Sequence, residues 1–185
     1  MKKENFKLLE KKGAVLVIVD VQEKLLPKIK EKGKILKNIL KLVKFAKIIN
    51  LPIVLTEQYP KGLGKTVNEI RKILPNIEPI QKTTFSCFGS KNFKEKLKKL
   101  KVSSLIIVGI ETHICVLQTA LEAIGRFKVF VVADATSSRS KKDWQIAIER
   151  MREEGVTISS TEMLIFELLK DTKEKEFKKV LELLK

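Results

Sequence analysis

Apolar and polar positions along this chain follow two periods. Runs without polar interruption, such as Ala14-Val15-Leu16-Val17-Ile18-Val19, read as strands buried on both faces. Stretches such as residues 90–100 instead set apolar side chains at helical spacing among lysines and glutamate. The pattern predicts strands at residues 14–20, 52–56, 77–80, 104–109, 128–133 and 156–159. It predicts helices at about 33–49, 66–74, 90–100, 113–126, 141–154, 161–170 and 173–184. Alternating strands and helices imply right-handed crossovers, with helices covering both faces of the sheet. The expected fold is therefore α/β: a three-layer α/β/α, Rossmann-like arrangement around a mostly parallel sheet of about six strands. No repeat, low-complexity tract or linker rich in Pro, Gly or Ser divides the chain. Residues 1–185 thus read as a single domain, with a core at about 14–169 and a C-terminal helix at 173–184.

Ligands of open α/β sheets bind beyond the carboxyl ends of the strands, so polar residues at those ends carry the candidate chemistry. Cys115 lies where the apolar strand 104–109 reaches a Gly-bearing turn and a helix begins. A thiol at a helix start feels the macrodipole and the unpaired N–H groups, which favour thiolate, and it reads as a nucleophile. The one histidine, His113, sits two residues earlier and points to another face of a helical turn, so the proton acceptor is a carboxylate from elsewhere. Asp20, at the end of the first strand, is the best placed, and Lys82, just past the strand 77–80, would stabilise the thiolate. His113 in such a segment is more often a hydrogen-bonded structural residue than a catalyst, and Cys87 reads as a buried, inert thiol. The irregular stretches 57–65 and 81–89 both follow strands and should overhang the same edge. Their Glu57, Gln58, Tyr59 and Phe85 face either substrate or the turn and core packing, and Gln22 and Ile110 join them as pocket candidates.

The segment Gly109-Ile110-Glu111-Thr112-His113-Ile114-Cys115-Val116 resembles the nucleophile motif of the isochorismatase-like cysteine hydrolases. The strand-end aspartate and the central lysine match in order and position, and Val132-Ala133-Asp134-Ala135-Thr136-Ser137-Ser138-Arg139 is similar to the family's segment after the next strand. The resemblance covers residues 14–169, and Glu57-Gln58-Tyr59-Pro60-Lys61-Gly62-Leu63-Gly64 matches a loop of its uncharacterised isochorismatase-domain subgroup. It implies a catalytic triad of Asp20, Lys82 and Cys115, and a cis peptide before Glu111 that aims a backbone donor at an oxyanion, with the Cys115 N–H as a second. It also implies a homo-oligomer and a small-molecule substrate. Nicotinamidases of the family add a metal held by an aspartate and histidines after the second strand. This chain has Thr56-Glu57-Gln58-Tyr59 there, so neither metal nor other cofactor is expected and nicotinamide is disfavoured. Cys115 leans towards hydrolysis of a small amide. A vinyl ether hydrolase of the isochorismatase type and a non-catalytic binding or scaffold protein stand as alternatives.

The formal charge of +16 invites a nucleic-acid reading, but the lysines are spread over every predicted helix and interleaved with glutamates, as on solvated faces. Arginine occurs only at 71, 126, 139, 150 and 152, without a platform of exposed aromatics, so neither nucleic acid nor membrane is expected as a partner. Abundant Lys, Glu and Ile point to a thermophile. Two cysteines 28 positions apart form no disulfide framework, and no apolar run approaches the roughly 18 residues of a membrane span, so a reducing, cytoplasmic location is expected.

Overall fold

The computed structural model describes residues 8–184. Its six strands are Ala14–Val19 (β1), Ile53–Gln58 (β2), Ile80–Lys82 (β3), Ser104–Ile110 (β4), Lys128–Ser137 (β5) and Thr157–Ser159 (β6). They lie in the order β3-β2-β1-β4-β5-β6, and each neighbouring pair is parallel. The winding therefore reverses between β1 and β4, which opens a crevice beyond their carboxyl ends. The helices are Lys32–Ile48 (α1), Pro60–Leu63 (α2), Asn68–Ile73 (α3), Lys91–Lys99 (α4), Leu117–Ala123 (α5), Lys141–Glu153 (α6), Thr161–Leu169 (α7) and Phe177–Leu184 (α8). No helix among the described residues is long and apolar enough to cross a membrane.

Successive side chains of a strand point to opposite faces, and β1 feeds both layers of the core. Leu16 and Ile18 pack with Ile39, Leu42 and Phe45 of α1, Leu164 and Leu168 of α7 and Val180 of α8. Val15, Val17 and Val19 pack on the other side with Phe93 and Leu97 of α4, Ala120 of α5 and Met151 of α6. Full burial of one such aliphatic side chain stabilises by roughly 1.5–3 kcal/mol, which is why uninterrupted apolar runs fold into central strands. Ser140 and Ser160 cap α6 and α7 by accepting from the N–H groups of Asp143 and Met163, each at 3.3 Å.

Four differences from the predicted boundaries bear on the site. β2 extends to Gln58, so Glu57 and Gln58 belong to a strand, not to the loop after it. β3 begins and ends later than the predicted 77–80 and takes in Lys82, because its pairing with Thr56, Glu57 and Gln58 decides its register. The predicted helix 113–126 is a π-helical turn, Thr112–Val116, followed by α5. β5 continues past the predicted residue 133 to Ser137 by bulging: Ile107 pairs with Val131, whereas Gly109 pairs with Thr136. Away from the site, α8 begins at Phe177, not at 173.

Candidate active site

Asp20 follows β1 directly, with φ at 51°, a left-handed conformation that aspartate tolerates better than branched residues do. Its carboxylate is fully buried, and both oxygens are bonded. Oδ2 accepts from Lys82 Nζ at 2.6 Å, and Oδ1 accepts from Thr56 Oγ1 at 2.7 Å. Lys82 Nζ also donates to Gln58 Oε1 at 2.7 Å and lies 3.1 and 3.2 Å from the carbonyls of Phe85 and Thr84. A buried ion pair is stable only when its remaining donors and lone pairs are occupied, and these partners supply that condition.

Cys115 comes from the π-helical turn, 6% exposed. The Glu111 carbonyl accepts from the N–H groups of Ile114 and Val116, at 3.1 and 3.2 Å, on either side of the Cys115 N–H. Burial pushes the Cys115 thiol well above its ordinary value, the Asp20 charge adds to the shift, and Lys82 opposes it without prevailing. The helix start by itself would favour thiolate, but the thiol lies inside the fold beside the Asp20 carboxylate, and burial and that charge together favour the neutral form. Asp20, Lys82 and Cys115, distant in sequence, meet at the switch point between β1 and β4.

Gly109 makes this convergence sterically possible. Its φ is +115°, and a Cβ there would stand 2.1 Å from the Val19 carbonyl oxygen. The next peptide bond but one, Ile110–Glu111, is cis. The β5 bulge brings residues 137–139 against the turn. Ser138 Oγ lies 2.9 Å from His113 Nδ1, and Arg139 grips Glu111 through Nη2 at 2.6 Å, Nε at 3.1 Å and its backbone N–H at 2.9 Å. Burial pushes the Glu111 carboxyl up, but the hydrogen bonds and charge of Arg139 outweigh it and hold the carboxyl below its ordinary value.

The pocket candidates divide by what their polar atoms touch. Gln22 Nε2 donates to the carbonyls of Gln58 and Gly64, at 3.0 and 2.7 Å, and its Oε1 accepts from Gln58 N–H at 2.8 Å. Glu57 Oε1 accepts from the N–H and hydroxyl of Thr66, at 2.7 and 2.8 Å. Gln22 therefore ties the loop after β1 to the end of β2 and the loop beyond it, Glu57 holds that second loop at Thr66, and buried Gln58 holds Lys82. Ile110 is fully buried. Tyr59 and Phe85 remain half exposed, and Tyr59 lines a groove of about 440 Å³ with Lys82, Thr84 and Ser90. Cys87, fully buried, lies 4.0 Å from Thr56 Oγ1, and its N–H donates to Thr119 Oγ1 at 3.0 Å. Among the described residues no group of three or more His, Cys, Asp or Glu side chains is placed to hold a metal ion.

Sequence reasoning passed over Thr56, Ser138 and the pairing of Arg139 with Glu111. The one available signal was Thr56 itself, a hydroxyl closing the apolar run Ile53-Val54-Leu55.

An all-parallel, doubly wound sheet with an aspartate, a lysine and a cysteine gathered at its switch point defines a three-layer α/β protein with an enzyme-like site. The isochorismatase domain matches residues 14–163, and the chain belongs to the isochorismatase family of hydrolases. Isochorismatase domain-containing protein 2A of Mus musculus is 38% identical over 174 residues, 94% of this chain and 83% of the relative. The solved structure of the MAR1 ribonuclease from Caenorhabditis elegans superposes with a TM-score of 0.90 at 36% identity, over 96% of this chain and 92% of its own. YcaC from Escherichia coli, described as an octameric hydrolase of unknown specificity, gives 0.88 at 30% identity, over 94% and 87%. YcaC from Pseudomonas aeruginosa, solved with hexane-2,5-diol and covalent acrylamide, gives 0.89 at 28%, over 95% and 91%.

Proposed function

We propose that this chain is a cysteine-dependent hydrolase of small amide-type substrates, with Cys115 as nucleophile, Asp20 as proton carrier and Lys82 as the cation that fixes Asp20. The observation that carries the reading is the double anchoring of a buried carboxylate, by Lys82 and Thr56, beside a buried thiol. Because the resting thiol is neutral, its proton passes to Asp20 as sulfur attacks the carbonyl carbon. The N–H groups of Cys115 and of the turn at Glu111 receive the oxyanion, each worth roughly 3–4 kcal/mol in comparable sites. The C–N bond then breaks, Asp20 returns the proton to the departing amine, and a thioester remains. Water attacks the thioester, gives a proton to Asp20, and the carboxylic acid leaves as the thiol is restored. Lys82, with its protein acceptors already bonded, acts through charge and through the position of Asp20.

The covalent acrylamide of P. aeruginosa YcaC shows a relative that reacts with an acrylic amide, which is compatible with a reactive nucleophile here. The octamer of E. coli YcaC supports a homo-oligomer here, and α7 presents exposed Met163 and Phe166 that a second copy would cover. The C. elegans relative raises ribonucleolysis as a second reading, favoured by the charge of +16. A thiol beside an anchored carboxylate fits acyl transfer better.

Ammonia release from a panel of small primary amides, with intact-mass detection of the thioester, tests the proposal. Wild type releases ammonia and Cys115→Ala loses at least about a thousandfold while keeping its fold. Turnover surviving in Cys115→Ala ends the proposal, and RNA cleavage by wild type in place of ammonia release moves the conclusion to the second reading.

A further inference from the structure

We infer that Thr56 is a positioning residue that decides where the proton shared by Cys115 and Asp20 rests, keeping it on sulfur until substrate binds. The inference rests on the proposed thiol mechanism and deepens it. Thr56 is fully buried on β2, and its hydroxyl carries a single proton. Cys87 Sγ approaches the hydroxyl oxygen as a donor at 4.0 Å, and Cys87 is itself held by the bond from its N–H to Thr119. Burial pushes the Cys87 thiol up to about 11, so that S–H keeps its proton at neutral pH. The Thr56 proton is thereby left for Asp20 Oδ1, which it meets at 2.7 Å.

A hydrogen bond made to an ionised carboxylate favours that form. With Lys82 on Oδ2 and Thr56 on Oδ1, the stable arrangement is a charged Asp20 facing a neutral thiol. The charged and titratable groups around Cys115 are Asp20, Lys82 and Cys87. Removing the hydroxyl takes one of two bonds from the carboxylate, so the shared proton moves towards Asp20 and leaves a thiolate opposite Lys82. The buried thiol is in this way protected from adventitious electrophiles, and substrate binding rather than the resting field triggers the transfer.

The test is the rate at which iodoacetamide alkylates Cys115 between pH 6 and 10, read by peptide mass mapping. Thr56→Val conserves volume and deletes the hydroxyl; Thr56→Ser keeps the hydroxyl and deletes a methyl. Thr56→Val is expected to react about tenfold faster than wild type at pH 7, and Thr56→Ser within about twofold of it. The advantage of Thr56→Val shrinks as pH rises, since hydroxide then ionises the thiol in every variant. A packing defect would instead raise the rate by one factor at all pH values and would strike Thr56→Ser hardest. Reactivity of Thr56→Val equal to or below wild type, or a Thr56→Ser as fast as Thr56→Val, overturns the inference. Should Thr56→Val fail to fold, Thr56→Ala carries the same expectation. Asp20→Asn separates the two levels of the argument. Loss of the carboxylate charge frees Lys82 to stabilise the thiolate and speeds alkylation, and an unchanged rate there would sink the thiol mechanism itself.

Discussion

Lys82 and Thr56 occupy both oxygens of the Asp20 carboxylate, and the chemistry of single residues follows from such bonds. A second such contact is the grip of Arg139 on Glu111, where the carboxylate is buried and the guanidinium is largely in solvent. Solvent screening limits what this pair contributes, and Arg139→Ala should destabilise by about 1–2 kcal/mol at neutral pH. The folded carboxyl of Glu111 is held below its ordinary value of 4.5, so its contribution is complete above that pH and fades as pH falls further. The gap between denaturant melts of wild type and Arg139→Ala should therefore narrow as pH falls below 4.5, and a gap that stays constant through the acid range would contradict this account.

At the scale of elements, the approach of β4 to β1 decides whether the turn that carries Cys115 reaches Asp20. Val19 pairs with Gly109, and the space a Cβ would need is filled by the Val19 backbone. Gly109→Ala combines that collision with a positive φ and should cost at least about 3 kcal/mol, together with loss of Cys115-dependent ammonia release. A variant as stable and active as wild type would show that the two strands can part without consequence. The β5 bulge has a complementary role: it inserts residues between the pairings of Val131 and Thr136, which lets Ser138 and Arg139 reach His113 and Glu111. A predicted strand ending at residue 133 contains no hint of this, because period-2 patterning describes regular pairing and a bulge suspends it.

For the whole molecule, the prediction concerns assembly. A chain of 21.1 kDa that associates as E. coli YcaC does should elute with light scattering at a multiple of that mass, and Phe166→Glu on α7 should lower it. A monomeric wild type at micromolar concentration would end the homo-oligomer proposal. The alternation of strands and helices, the parallel sheet and the two-layered core were legible in the chain, since burial on both sides of a sheet demands unbroken apolar runs and little else in solution does. Asp20, Lys82 and Cys115 were legible as candidates because each lies at or just past the end of such a run, where an open sheet exposes its crevice. Local sequence by itself determines period, and period determines which segments are strands and which of their ends matter. The register that places Lys82 on β3, the bulge that delivers Arg139, the π-helical turn that sinks Cys115 and the bond from Thr56 to Asp20 were decided only by tertiary structure. The strand register, the bulge and the Thr56 bond join residues far apart in the chain, and the upward push on the Cys115 thiol comes from burial and from Asp20, which only the assembled fold brings to it.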